Sequence, residues 1–218
     1  MQIVQNYKNM SVSAKAGIWF IACNCLQAGM KYLMLAVFTH IMPVGEYGIV
    51  TLYTSWTQII LIFATLSLGS ANGVFYVAMA EYADNRDPFT SAMHGLIVTL
   101  CVVCFSVIGL SVVLFGDWMK IGLMQYPAMC IELAGYGNLL LWTLRQRYDN
   151  QYRALAGMMV LYSFGVSIVS VISVMLCPEG VSPAVCKIWS TALSTLAVGG
   201  LATFQSWKRA ARFFHKQY

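Results

Sequence analysis

The chain has 218 residues, 59% hydrophobic and 10% charged, with 13 Lys+Arg against 8 Asp+Glu for a net charge of +5; its mean hydropathy is +0.69. Soluble domains carry about 25% charged residues, so the composition excludes a soluble enzyme or binding module and places the whole chain in a bilayer. Period-2 segments of the β-barrel kind are absent, and the expected fold class is all-α, a polytopic membrane helical bundle without a sizeable extramembrane domain.

The first apolar run, Ala16 to Gly45, is interrupted by one charge, Lys31. A bilayer core of roughly 30 Å needs about 20 apolar residues in a helix, so this run is a span. It is too long for a signal peptide and lacks a small-x-small cleavage site, so it is expected to be a retained first helix. On a 3.6-residue period Asn24, Gln27 and Lys31 fall on one face, while Trp19, Phe20, Ile21, Leu26, Met30 and Leu33 cover the others. An ammonium deep in hydrocarbon costs about 3 kcal/mol unless it meets a partner, a wet cavity or the interface. Snorkelling reaches only about 6 Å, and Lys31 lies about 13 Å along the helix from His40. A cavity-lining role is therefore preferred to snorkelling.

Charge-free runs at Tyr47–Ala80, Pro88–Gly116, Ala154–Pro178 and Ile188–Trp207 supply four more spans. The first of these is too long for one helix and is expected to break at Gly69–Gly73, leaving Val74–Ala80 as a short continuation. Pro88 is expected at the first helical position of the next span, with Asp87 as its cap. Ile121–Leu144 completes a set of six if Glu132 is admitted. The spans are drawn at 14–41, 47–69, 88–115, 123–144, 154–177 and 187–207, with a basic tail at 208–218.

With the N-terminus inside, the inner segments hold Lys8, Lys15, Arg86, Arg145, Arg147, Arg153, Lys208, Arg209, Arg212 and Lys216, and the outer loops only Lys120 and Lys187. That bias obeys the positive-inside rule and predicts cytoplasmic termini. It also accounts for the net charge without a nucleic-acid partner. The tail, with Trp207, Phe213 and Phe214 among its cations, reads as an anchor on an anionic leaflet.

Cys23, Cys25, Cys101, Cys104 and Cys130 lie in apolar runs and act as small hydrophobes. Cys177 and Cys186 flank a short polar loop at adjoining ends of consecutive helices, and a disulfide between them is an even choice. His40 and His94 have no metal-ligand spacing, and neither a metal nor a cofactor is expected. Glu132 has two readings: a helix that starts late, at Pro127, leaving it near the interface, or a deep carboxylate serving as coupling-ion group or counter-ion of Lys31. Gln58 with Thr51, Ser55 and Thr65, then Ser163, Ser167 and Ser170, then Ser190, Ser194 and Thr203 form polar stripes that suit helix packing. Asn72 at the glycine-rich break and Asn138 are further cleft candidates, with a satisfied structural amide the commoner outcome.

The run Phe38-Thr39-His40-Ile41-Met42-Pro43-Val44-Gly45-Glu46-Tyr47-Gly48, followed by Leu52-Tyr53-Thr54-Ser55-Trp56, resembles the polysaccharide (O-antigen, Wzx-like) flippases of the MOP/MATE superfamily. So do Asn85-Arg86-Asp87-Pro88-Phe89-Thr90-Ser91 before the third span and Arg145-Gln146-Arg147-Tyr148 with Tyr152-Arg153 between the fourth and fifth. The resemblance covers nearly the whole chain. It implies a carrier in the bacterial inner membrane that flips an oligosaccharide on an undecaprenyl pyrophosphate anchor, through a hydrated cleft with cationic groups for the phosphates. Lys31, Gln27, Asn24, Gln58 and Asn72 are then the cleft candidates.

Two departures stand out. Members of the family commonly have about 12 helices in two lobes, whereas six resemble the N-terminal lobe alone, so a second lobe or a homodimer partner is expected. His40 stands where relatives often carry Arg. The competing functions are an intramembrane enzyme, disfavoured because Glu132 is the one acid well inside a span, and a non-transporting subunit or scaffold of an envelope polysaccharide assembly.

Overall fold

The computed structural model describes residues 10–66, 74–82 and 86–210. Within them lie α1 (Val12–Ile41), α2 (Val44–Ala64), α3 (Val74–Glu81), α4 (Arg86–Phe115), α5 (Gln125–Tyr148), α6 (Tyr152–Met175) and α7 (Pro183–Ala210). No strand occurs among the described residues. This is a helical membrane protein: α1, α2, α4, α6 and α7 are each long and apolar enough to cross a bilayer. Their outward surfaces stay greasy, as lipid requires; on α4 alone Val103, Val107, Leu110, Val113 and Leu114 are all exposed.

The helix at the sixth expected span, 123–144, differs in composition from the other five. The helix there is α5, which begins at Gln125, has 24 residues, and is not apolar enough to count as a span by composition. The reason is its position. It packs on α7, α4, α2 and α6, and with protein on every side it carries Glu132, Asn138, Arg145 and Gln146, groups that lipid would not accept but neighbouring helices can bond.

Local chemistry sets most boundaries. Ser11 Oγ accepts the Ala14 N–H at 3.2 Å to cap α1, and Pro43 separates α1 from α2. Helix α2 ends at Ala64, the glycine-rich stretch 69–73 where a break was expected lies outside the described residues, and α3 is the short continuation foreseen at 74–80. Asp87 proves not to be a cap: α4 already includes Arg86, so Asp87 sits in its first turn and faces Arg145 instead. At the far end α7 runs through Ala210, taking the first residues of the supposed tail into the helix, and 211–218 lie outside the described residues.

Contact between α5 and α7 depends on two glycines. A Cβ on Gly135 would lie 2.6 Å from Leu196 Cα, and one on Gly199 would fall on the Gly135 carbonyl oxygen. Backbones this close are the small-residue packing of membrane helices. His94 on α4 bridges the same pair, 2.7 Å from Asn138 Oδ1 on α5 and 3.2 Å from Ser206 Oγ on α7. Asn138 is thus a satisfied structural amide, and it also donates to its own helix at Ala134 O, 2.8 Å away.

Each end of the bundle is fastened by polar groups. At one end the buried Arg145 guanidinium donates to Asp87 Oδ1 (3.0 Å), Asp149 Oδ2 (2.8 Å) and Thr90 Oγ1 (3.2 Å), tying α4 to α5. At the other, Cys177 and Cys186 are joined in a disulfide with Cα atoms 6.2 Å apart. Asp117, in the turn before α5, accepts hydrogen bonds from Tyr126 Oη (2.9 Å) and from the N–H groups of Gly122 (3.0 Å) and Ile121 (3.3 Å). Partial desolvation pushes its carboxyl up, but these donors outweigh that and hold it below its ordinary value. A depressed folded-state pKa contributes stability above the unfolded value of about 3.9, and that contribution disappears as pH falls through the folded value. From about pH 5 to about pH 2 the wild-type protein should therefore lose more thermal stability than Asp117→Asn, as read by melting in detergent.

Candidate functional site

A cavity of about 520 Å3 lies between α1 and α2 on one side and α5, α6 and α7 on the other. Its polar lining follows from where helices start and stop. Lys31 is ten residues from the end of α1, Tyr53 nine from the start of α2, and Glu132 seven from the start of α5. At 1.5 Å per residue these are depths of about 15, 13 and 10 Å from the same end of the bundle. The three side chains therefore meet at one level.

Tyr53 Oη donates to Glu132 Oε2 at 2.9 Å, joining α2 to α5. Tyr136 and Tyr162 stand beside them with ring centroids 6.0 Å apart, and both line the cavity. Nearer the end, the Lys187 ammonium lies 3.6 Å from the Phe38 ring centroid and 5.1 Å from that of Tyr47, an arrangement in which two aromatic faces replace part of its hydration. Beyond it, Glu46 on α2 accepts hydrogen bonds from Ser182 Oγ and from the Ala184 N–H, the latter at 3.1 Å. A carboxylate at the start of α7 complements the helix dipole, and it fastens the α1–α2 turn to α7.

Of the residues expected in a cleft, Lys31, Gln27 and Gln58 line this cavity, and so does Glu132. Asn24 does not: it is exposed one turn beyond Gln27, where the cavity has ended. Asn72 lies outside the described residues. Neither reading of Glu132 holds in full. Its helix starts before Pro127, and the carboxylate is inside the bundle, but its partner is Tyr53, not Lys31. Both ion pairs among the described residues belong to Arg145.

The serine stripe on α6 serves helix packing, as expected, and also reaches the cavity. Ser163, Ser167 and Ser170 face the cavity, and Ser170 also bonds Thr191 Oγ1 across to α7 at 3.0 Å. Lys187, counted with the outer charges and drawn as the first residue of the last span, lies one turn inside α7. The signal available in the sequence was Pro183, a residue that commonly opens a helix. Tyr53, Tyr136 and Tyr162 carry no pattern that separates them from core aromatics.

Two ammonium groups, one carboxylate, four phenols and a row of hydroxyls line this cavity. Nothing here resembles a metal centre: among the described residues no three His, Cys, Asp or Glu side chains are placed to hold an ion. Comparison of the chain with family models, with curated proteins and with solved structures returns no match.

Proposed function

We propose that the chain is one lobe of a polysaccharide-flippase-like carrier of the inner membrane, with both termini cytoplasmic, and that its cavity takes the pyrophosphate–sugar headgroup of a lipid-linked oligosaccharide during transfer between leaflets. The observation that carries this reading is the Lys31 ammonium, which lines the cavity about 15 Å from the helix end and has no ion-pair partner among the described residues. A charge at that depth is tolerated where water or a ligand reaches it. The volume lies within the roughly 300–1,000 Å3 of ligand sites. Lys31 and Lys187 would meet phosphate oxygens, Gln27, Gln58 and the serines of α6 would exchange hydrogen bonds with sugar hydroxyls, and the Glu132–Tyr53 pair would be the coupling-ion group. The motifs at Phe38–Gly48 and Asn85–Ser91 resemble those of this family, and a second copy of the chain would form the opposite wall. On this reading the chain is not an enzyme.

The test is transfer of a fluorescent undecaprenyl-pyrophosphate oligosaccharide in proteoliposomes, followed by its loss to an impermeant glycosidase outside. Protein-dependent acceleration is expected. A rate equal to that of protein-free vesicles overturns carriage and leaves the chain as a non-transporting subunit of an envelope assembly.

A further inference from the structure

A second cavity, of about 200 Å3, lies at the opposite end of the bundle, where the start of α1 meets the turn between α5 and α6; Ser13, Phe20, Gln146, Arg147, Asn150 and Tyr152 are among its walls. Four features there point to a ligand. Gln146 is 1% exposed, and its side-chain oxygen Oε1 is buried without a hydrogen-bond partner. Such an acceptor is costly to leave unmade, and a native structure normally satisfies it. The Arg147 guanidinium is held 3.8 Å from the Phe20 ring centroid, so a cation is fixed at the wall. Helix α6 begins at Tyr152 with no side-chain cap and no acid in its first turn, leaving the positive end of a 24-residue helix uncompensated. Asp149, the nearest acid in sequence, is committed to Arg145 at 2.8 Å.

These groups ask for two things at once. Arg147 and the first N–H groups of α6 call for an anion of phosphate type. The orphaned Gln146 oxygen calls for a donor on the same molecule. We propose that this cavity binds a phosphate ester that also bears a free hydroxyl, the chemistry of an anionic phosphoglycerol headgroup. Phosphate oxygens meet Arg147 and the start of α6, and the ligand hydroxyl donates to Gln146 Oε1. At about 30 Å3 per water the space equals six or seven waters, enough for a phosphoglycerol and too small for an oligosaccharide. Trp19 is exposed about two turns into α1, as expected of an interfacial helix end. The inference is independent of what the larger cavity carries.

The experiment is native mass spectrometry of the purified full chain in detergent with phosphatidylglycerol, phosphatidylethanolamine or glycerol 3-phosphate. Phosphatidylglycerol should be retained at least fivefold over phosphatidylethanolamine, and Arg147→Ala and Gln146→Leu should each remove that preference. Gln146→Leu alone separates the two explanations of the orphan: a merely structural defect predicts a more stable protein with unchanged lipid retention, which overturns the proposal. Arg147 is exposed, so Arg147→Ala remains informative if the buried change prevents folding. Binding of glycerol 3-phosphate with no lipid preference keeps the site and assigns its ligand to the soluble pool. Equal retention of both lipids without glycerol 3-phosphate binding overturns it.

Discussion

Gly199→Ala is expected to force α5 and α7 apart. Its Cβ would land on the Gly135 carbonyl, which belongs to a helix backbone and cannot move aside as a flexible side chain can. Overpacking ordinarily costs about 1–3 kcal/mol and more where the obstruction is rigid. For a chain of this size about 3 kcal/mol corresponds to a fall in Tm of roughly 6–12 °C. Gly135→Ala meets the Leu196 backbone from the other side and should behave alike. Gly200→Ala is the control, since nothing lies within 4 Å of a Cβ there, and replacing a helical glycine ordinarily adds about 0.5–1 kcal/mol. The measurement is the melting of the detergent-solubilised variants by tryptophan fluorescence. Equal Tm values for the changes at 199 and 200 would mean that the close approach of these helices does not support the fold.

Lys31→Ala should abolish most transfer of pyrophosphate-linked substrate while leaving expression and melting unchanged. The side chain is exposed and takes part in no ion pair among the described residues, so the folded state loses little. What disappears is a charge-assisted contact to the phosphate, about 1.5–3 kcal/mol, which corresponds to roughly 10- to 150-fold in rate when the contact strengthens during transfer. Lys31→Arg, which keeps the charge, should retain most activity. Asn24→Ala, one turn beyond the cavity, should retain all of it. A Lys31→Ala protein that flips as fast as wild type in vesicles would remove the ammonium from the mechanism.

The bundle was largely legible in the residues because lipid imposes a simple rule on the surfaces that face it. The apolar runs that became α1, α2, α4, α6 and α7 show it plainly. Helix α5 escaped that rule: it is wrapped by protein, and a helix freed from lipid is free to carry polar groups. The cavity was legible to the extent that it depends on charge in a greasy setting, which picked out Lys31 and Glu132. It was illegible where it depends on depth. Asn24 shares the azimuth of Lys31 but not its level, and Lys187 was counted with the outer charges because one turn of helix decides whether it sits in a loop or a wall. The pairing of Glu132 with Tyr53 joins residues 79 positions apart, and periodicity along one helix says nothing about which tyrosine will face which acid.

The clasp formed by Glu46 has an energetic corollary for how firmly the α1–α2 turn is held against α7. Parting the α1–α2 turn from α7 breaks two hydrogen bonds to one carboxylate, from Ser182 and from the Ala184 N–H, and strips Lys187 of its aromatic faces. Bonds to a charged acceptor contribute about 1.5–3 kcal/mol each, so together they favour the shut arrangement by about 3–6 kcal/mol, or roughly a hundred- to ten-thousandfold. The Cys177–Cys186 disulfide closes the α6–α7 loop on itself, so Ser182, which lies within that loop, is held where it meets Glu46.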